Sequence, residues 1–358
     1  MVTVCRYKDL KVIIFNHLII NIMTQEIDLA LERIPSRPPA IAPVPRGLER
    51  PQWSVMIPAY NCLAYLQGAI ESVLAQAPNS EVMQITVVDD CSTDGDVAAL
   101  VERVGQGRVD YYRQERNVGS LRNFETCLNQ AVGHWVHLLH GDDRLVAGFY
   151  DEIQFLFHSY PDAGAAFTRS AFIIESDNKE ELQADKTLAP KTGIINDFLL
   201  KMAEGIKLQP PSIVVRRDVY EQLGGFFGVH YGEDWEMWTR IAAKFPVAYS
   251  PKPLAHYRYL GGASITHRSI ASGQNIKDIM KVIDTIQEYL PSSLRSRLKR
   301  VGRHNYAMYC ASLANFLSKT DLAAATIQAK GALEMSNDIR VYLALKRFFL
   351  RNLLHFPK

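Results

Sequence analysis

No Gly-x-Gly-x-x-Gly follows the first apolar strand of this chain, and no Gly-x-x-x-x-Gly-Lys-Ser/Thr occurs in it. The first absence excludes the common dinucleotide fingerprint and the second excludes a P-loop cradle for phosphates. Cysteine is sparse. Cys5, Cys62, Cys91, Cys127 and Cys310 are odd in number and widely spaced, with no Cys-x-x-Cys. That pattern supplies neither a disulfide framework nor a zinc site, and it fits a reducing, cytoplasmic setting. Long apolar runs are missing too. Val12 to Met23 is interrupted by Asn16, His17 and Asn21, and it is shorter than the ~20 residues a membrane helix needs. Arg6, Lys8 and Lys11 precede it without a small-residue cleavage site after it, so it does not read as a signal peptide. A non-native leader, with Met23 as the true start, is expected. The net charge of +2 is too small to imply a nucleic-acid partner.

What is present is an ordinary globular composition, 47% hydrophobic and 22% charged, enough to build a core without staples. A length of 358 residues suits one large domain plus an appendage. Pro35, Pro38, Pro39, Pro43, Pro45 and Pro51 mark a semi-rigid linker rather than a packed element. Residues 1–50 are therefore expected to be leader and linker, poorly ordered, with the catalytic domain at 51–268 and a helical region at 269–358.

From Val55 the chain alternates. Val55-Met56-Ile57 reads as a strand ended by Pro58, and Leu63 to Leu74 as a helix. Ile85 to Val88 is a strand, Val97 to Val104 a helix, Val109 to Tyr112 a strand. Phe124 to Val132 is a helical stripe and Trp135 to Leu139 a strand. This order predicts an α/β fold, a mostly parallel sheet with helices on both faces. The second half is less regular, with strands expected at 165–174, 212–215 and 247–250 and helices at 194–203, 218–223 and 235–243. Tyr306 to Met335 has the small-residue spacing of a helical hairpin, read as a plain appendage.

In open parallel sheets, ligands bind beyond the carboxyl ends of the strands. Four polar clusters follow the first four strands: Pro58-Ala59-Tyr60-Asn61, Asp89-Asp90-Cys91-Ser92-Thr93-Asp94-Gly95, Arg116-Asn117-Val118-Gly119 with Arg122 and Asn123, and His140-Gly141-Asp142-Asp143. Each alone could be turn chemistry. Together they would share one edge. Adjacent carboxylates repel unless a proton or cation intervenes, so Asp142 and Asp143 are candidate ligands of Mg2+ or Mn2+, completed by substrate phosphates. The bland alternative is a capping aspartate opening the next helix. Asp89-Asp90 suits hydroxyl and amide donors of a ribose or base. Glu233-Asp234 opens a helix, which its dipole favours, and either acid could instead be a general base. Trp235 and Trp238 beside it could support a sugar ring or form a core pair.

With these clusters in place, residues 52–266 resemble the family 2 glycosyltransferases with the GT-A fold. The carrying motifs are Val55 to Asn61, Val87 to Asp94, Arg116 to Gly119 with Asn123, Gly141-Asp142-Asp143, Gly224-Gly225-Phe226, Glu233-Asp234, and Tyr257-Arg258 with Ser264. The resemblance implies that Pro58 and Tyr60 flank the nucleotide base, with Ala59, Asn61, Asp89, Asn117, Gly119 and Arg122 in the same nucleotide-sugar site. It implies that Asp90 contacts base or ribose and that Asp143 with Asp142 holds the metal on the diphosphate. Asp234 would be the catalytic base, with Glu233 and Trp235 on the acceptor side and Tyr257 and Arg258 closing over the donor. The family's metal motif is often Asp-x-Asp-Asp or Asp-x-Asp, and here His140 stands first. The Gln-x-x-Arg-Trp motif of processive synthases does not follow Asp234. The implied activity is transfer of one sugar from a UDP- or dTDP-sugar, with inversion, to a saccharide, lipid-linked or protein acceptor.

Two alternatives stand beside this reading. A phospho-acceptor receiver module also places acids at sheet ends, but it leaves Glu233-Asp234 without a role. A non-catalytic nucleotide-sugar-binding protein of the same fold is the other. Finally, Lys346-Arg347-Phe348-Phe349-Leu350-Arg351 with Leu353, Leu354 and Phe356 is basic and apolar. It is expected to dock on the protein as a helix, with contact to an anionic membrane as the alternative.

Overall fold

In the computed structural model, which describes residues 33–353 apart from 46, 48, 78, 177–178 and 260–264, the first apolar run becomes β1 (Trp53–Ala59), buried at every position. Its residues split between two cores. Val55 and Ile57 join one and Met56 the other, as alternation along a strand buried on both faces requires. The strand does not stop at Pro58. Its pairing with the fourth strand ends at Met56 opposite Leu138, so the missing N–H of Pro58 falls where that ladder is already over.

The next elements follow the expected alternation: α1 (Leu63–Leu74), β2 (Met83–Asp89), α2 (Val97–Gly105), β3 (Asp110–Arg113), α3 (Ser120–Gln130) and β4 (Trp135–Leu138). Strands β3, β2, β1 and β4 are adjacent and parallel. Asp96 caps α2, its carboxylate accepting from Ala99 N at 2.9 Å.

The second half adds β5 (Arg144–Leu145), α4 (Phe149–Ser159), β6 (Ala165–Ser176), β7 (Lys179–Ala184), β8 (Gly193–Ile194), α5 (Phe198–Glu204), β9 (Ile213–Arg216), α6 (Arg217–Leu223), α7 (Glu233–Ala242) and β10 (Val247–Tyr259). The sheet runs β3-β2-β1-β4-β9-β6-β10-β5, with β7 on β6 and β8 on β10. β9 is antiparallel to both neighbours, so the parallel order holds in the first half and for β6 with β10, and the whole sheet is mixed. Helices α1, α2 and α4 cover one face; α3, α5, α6 and α7 cover the other. Strand β10 is far longer than the expected 247–250. A register shift between Ser250 and Pro253 absorbs the prolines, and the strand carries on to Tyr259 at the ligand edge.

The proline-rich stretch is a correction. It is not a loose linker across its described part. Ile41 is 3% exposed in the core, Pro35 and Pro39 carbonyls accept from Gly228 N and Gly225 N at 2.8 Å each, and Ala42 O accepts from Arg217 Nη2 at 2.8 Å. Prolines that lack a donor and have a fixed φ lose little on docking, so the segment lies as a strap across α3 and α6. The expected leader lies outside the described residues.

The helical region comprises α8 (Ile265–Ser272), α9 (Gln274–Thr285), α10 (Arg295–Leu317), α11 (Leu322–Met335) and α12 (Ile339–Leu353), so the expected boundary at 268 falls inside α8. Ala307, Ala311, Ala314, Ala325, Ala329 and Ala332 form the seam of α10 and α11. Small side chains there let the helices approach closely. Gly302 of α10 sits against α5, where a Cβ would lie 2.9 Å from Ala203 O.

Candidate active site

All four clusters reach the same edge, and backbone bonds bind them together. Pro58 O accepts from Gly141 N at 3.2 Å, and Ala59 O from Asp90 N at 2.8 Å. Pro58 and Ala59 are buried, so their expected side-chain contacts with a nucleotide are corrected to a framing role through the backbone. Tyr60 is 44% exposed and offers its ring. Asn61, in the left-handed region at φ 49°, accepts from Thr93 N at 2.7 Å and donates its own N–H to Ser92 Oγ at 3.0 Å.

The two aspartates after β2 organise loops. Asp89 is buried and accepts from Ser92 N at 2.9 Å, from the Tyr111 hydroxyl at 2.8 Å and from Arg113. Asp90 gathers the turn after β3, accepting from Val118 N at 2.7 Å, Gly119 N at 2.9 Å and Asn117 Nδ2 at 3.0 Å. Burial raises the Asp90 carboxyl, against the pull of the Val118 and Gly119 amides. Three donors already occupy it, so what Asp90 visibly does is fix Asn117 and Gly119. Arg122 turns along α3 to Glu125 at 2.7 Å; it is Asn123 that faces inward, donating to Val88 O at 2.9 Å.

The fourth cluster is different in kind. Asp143 is fully buried. Its Oδ1 accepts from Arg258 N at 2.9 Å, while Oδ2 has no partner among the described residues. Burial, then the charge of Asp142, pushes its carboxyl well above the usual range. Ligand atoms of His140, Asp142 and Asp143 lie within 4.8 Å of one another. No helix starts here; α4 opens at Phe149 behind Gly148, which removes the capping explanation. An orphaned buried oxygen in a set of two carboxylates and an imidazole fits a small divalent cation.

Arg258 locks this turn. Its Nε donates to Asp142 O at 3.0 Å, its Nη1 meets Glu180 Oε1 at 3.0 Å, and its guanidinium lies 4.2 Å from the centre of the Tyr65 ring. It is a positioning group beneath the acids rather than a flap over them. Tyr257, next to it, feels the charges of Asp143, Asp142 and Asp234, and Thr266 hydrogen-bonds it. Ser264 lies outside the described residues.

Glu233 and Asp234 open α7 behind Gly232, at φ 85°, without capping it by side chain. Burial raises both carboxyls, and Asp234 adds to the rise at Glu233. Asp234 is pushed up to about 6. A cleft is lined by His140, Glu233, Asp234, Phe124, Phe226 and Trp238, among others. Of the three residues that could hold a cation, His140 lines it, together with both acids of α7. Trp235 is not in it. Its ring is buried and its indole N–H donates to Met202 O at 2.6 Å, so the acceptor-side expectation for Trp235 is corrected. Trp238, one turn on, lines the cleft with its indole nitrogen unpartnered.

Residues 54–224 match the model for glycosyl transferase family 2. The chain carries a glycosyl transferase family 2 domain. An uncharacterized protein of Mycobacterium tuberculosis is 28% identical over 69% of this chain and 80% of its own length. TuaG of Bacillus subtilis, named as a putative teichuronic acid biosynthesis glycosyltransferase, is 35% identical over 26% of this chain and 37% of its own. Among solved structures, S. aureus TarS 1–349 with UDP-GlcNAc is similar at TM-score 0.62 and 17% identity, over 85% of this chain and 86% of that one. A Pyrobaculum calidifontis mannosyltransferase with GDP-Man and Mn2+ is similar at TM-score 0.53 and 17% identity, over 89% and 90%. These likenesses establish the GT-A fold.

Beyond the matched stretch, sequence reading missed the buried Glu236–Arg240 pair. Arg240 Nε meets Glu236 Oε1 at 3.0 Å, and Arg240 Nη2 donates to Gly225 O at 2.9 Å. The pair ties the Gly224-Gly225 turn to α7 and so sets where Asp234 stands. Its i, i+4 spacing was the available signal. His140 as a third candidate ligand, and Phe124 stacked on it at 5.3 Å, had no signal beyond position.

Proposed function

We propose that the protein transfers one sugar from a UDP- or dTDP-sugar to an acceptor hydroxyl, with inversion at the anomeric carbon. The acceptor is a saccharide, a lipid-linked saccharide or a protein, and the setting is cytoplasmic synthesis of cell-surface polysaccharide or glycoconjugate. The names of TuaG and TarS's bound UDP-GlcNAc support that direction. One observation carries the reading: a single cleft is lined by His140 of the metal-binding group and by Asp234.

Asp142, Asp143 and His140 would hold Mg2+ or Mn2+, which when bound neutralises charge on a nucleoside diphosphate leaving group. Tyr60, Asn61 and the Asn117–Gly119 turn frame the nucleoside, with Asp89 and Asp90 holding those loops in shape. Asp234 takes the proton of the attacking hydroxyl. Elevated to about 6, it is mostly ionised at neutral pH yet basic enough to accept. Glu233 beside it and Trp238 face the acceptor. The rigid edge aligns acceptor and donor, and in the best model systems orientation supplies on the order of 7–11 kcal/mol.

A panel of UDP-, dTDP- and GDP-sugars, followed by proton NMR of the products, tests this. Release of nucleoside diphosphate with an inverted glycosidic product is expected from a UDP- or dTDP-sugar. Binding without any turnover would favour the non-catalytic alternative. The receiver alternative is set aside by the family match across residues 54–224.

We further propose peripheral membrane contact through α12. Val341, Leu345 and Phe348 dock it on α10 and α11, while Ile339, Leu343, Phe349 and Leu350 are exposed at helical spacing beside Lys346 and Arg347. Leu354 and Phe356 lie outside the described residues. No helix among the described residues is long and apolar enough to cross a membrane.

A further inference from the structure

A second pocket, open to solvent, lies between β6 and the segment before β9. Lys207 and Leu208 line it, and Pro210, two residues on, lines the transfer cleft. Phe167 to Ser170, in the first half of β6, form one wall of this second pocket.

The cavity is electropositive. Arg169, Lys186 and Lys207 line it against one carboxylate, Asp185. Burial lowers the Lys207 ammonium; Glu204 and Asp185 oppose that fall and Lys201 adds to it. Two buried donors in the wall have no partner among the described residues. Ser170 is 3% exposed and its hydroxyl is unmet. Arg169 Nε is buried and unmet as well. Unpaired donors in a low-dielectric wall are costly, and the wall holds them in place. Asp185 is tied back through its own N–H to Ser170 O at 2.9 Å, which fixes the loop carrying Lys186.

We propose that this cavity binds a phosphoryl group. Its cations come from three separate segments, β6, the loop after β7 and the loop before β9. They would surround a tetrahedral oxyanion, whereas a planar carboxylate is satisfied by one arginine fork. The position beside the transfer cleft assigns the group to the acceptor or its carrier. That assignment alone rests on the glycosyl-transfer reading; the binding does not.

The test is the melting point of the full chain in EDTA, titrated with inorganic phosphate, glycerol 3-phosphate and acetate, with chloride holding ionic strength constant. Both phosphates should raise the melting point by mass action, and acetate should not. Tighter binding of glycerol 3-phosphate identifies an esterified phosphoryl as the occupant, and tighter inorganic phosphate identifies the free ion. The double variant Arg169→Gln, Lys207→Gln, folded by circular dichroism, should bind phosphate about tenfold more weakly or worse, since charge-assisted bonds are lost. Asp143→Asn should keep the whole response, which separates this cavity from the transfer cleft. An unchanged response in the double variant, a lost response in Asp143→Asn, or acetate binding as well as phosphate overturns the proposal. If the double variant does not fold, Lys186→Gln, an exposed change, decides: an unweakened response there overturns it.

Discussion

Burial strips Asp143 of water on both oxygens, and only one regains a partner, the Arg258 N–H. Such a group is kept where something else completes it. Asp234 shows the complementary situation, a carboxyl raised by burial but still open to a cleft. Because the base works when deprotonated, turnover should rise with pH through about 6 and level off above it. Asp234→Asn should flatten that limb and lower kcat by about 10²–10⁴, while nucleotide-sugar binding, read by thermal shift, stays. An unchanged pH profile in the variant would assign the proton to another group. At this scale the carboxylates were legible because adjacent acids after an apolar strand have few other uses. The corrected residues were not. Trp235 and Trp238 carry the same chemistry in sequence and both are buried in one core; only the helix's rotation on the sheet decides that Trp238 also borders the cleft. Pro58 and Ala59 belong to a motif, but motif membership does not say whether backbone or side chain is the working part.

Elements place these side chains. Helix α7 is held by Arg240, which reaches the carbonyls of Leu223 and Gly225 while paired with Glu236. Arg240→Met would leave Glu236 buried with no cation, since its other partner is only the Tyr289 hydroxyl. A loss of about 3–5 kcal/mol is expected, measurable by urea denaturation, with kcat falling as Asp234 shifts. The strap makes the matching contact from outside. Gly224 sits at φ +79°, and a Cβ there would lie 2.7 Å from Pro39 O. Gly224→Ala should therefore cost about 1–3 kcal/mol and expose residues 33–45 to proteolysis; wild-type stability would show that the strap is not bound where the structure puts it. Strands β1, β2 and β4 were readable because buried parallel strands are continuous apolar runs with helical stripes between them; β3, largely exposed, was readable from its place in the alternation. The later half was not. Pro251 and Pro253 look like a strand's end, although a bulge carries β10 past them to Tyr257 and Arg258. Proline also made the strap look like a linker, since composition reports stiffness and not what lies beneath.

For the whole molecule, the helical region packs on the turn that leads into α7, where Asp278 accepts from His230 N and Tyr231 N. Tyr306 and Tyr309 of α10 reach Tyr231 and Tyr259 beside the cleft, so a catalytic domain without its helices should lose its acceptor side. The outer face of α12 is the surface on which membrane contact depends. Leu343→Glu with Leu350→Glu should abolish co-sedimentation with anionic vesicles and leave donor turnover in solution unchanged; equal sedimentation would remove the membrane from the account. Above all, the account holds that the acids after β4 and the acid opening α7 serve one reaction centre, with a cation between protein and diphosphate. The most direct measurement is the melting point of wild type and Asp143→Asn with a panel of nucleotide sugars, each with Mn2+ and with EDTA. The account predicts a donor-specific rise in wild type that requires the ion and vanishes in Asp143→Asn. A rise of the same size in EDTA, or one that survives in the variant, would contradict it.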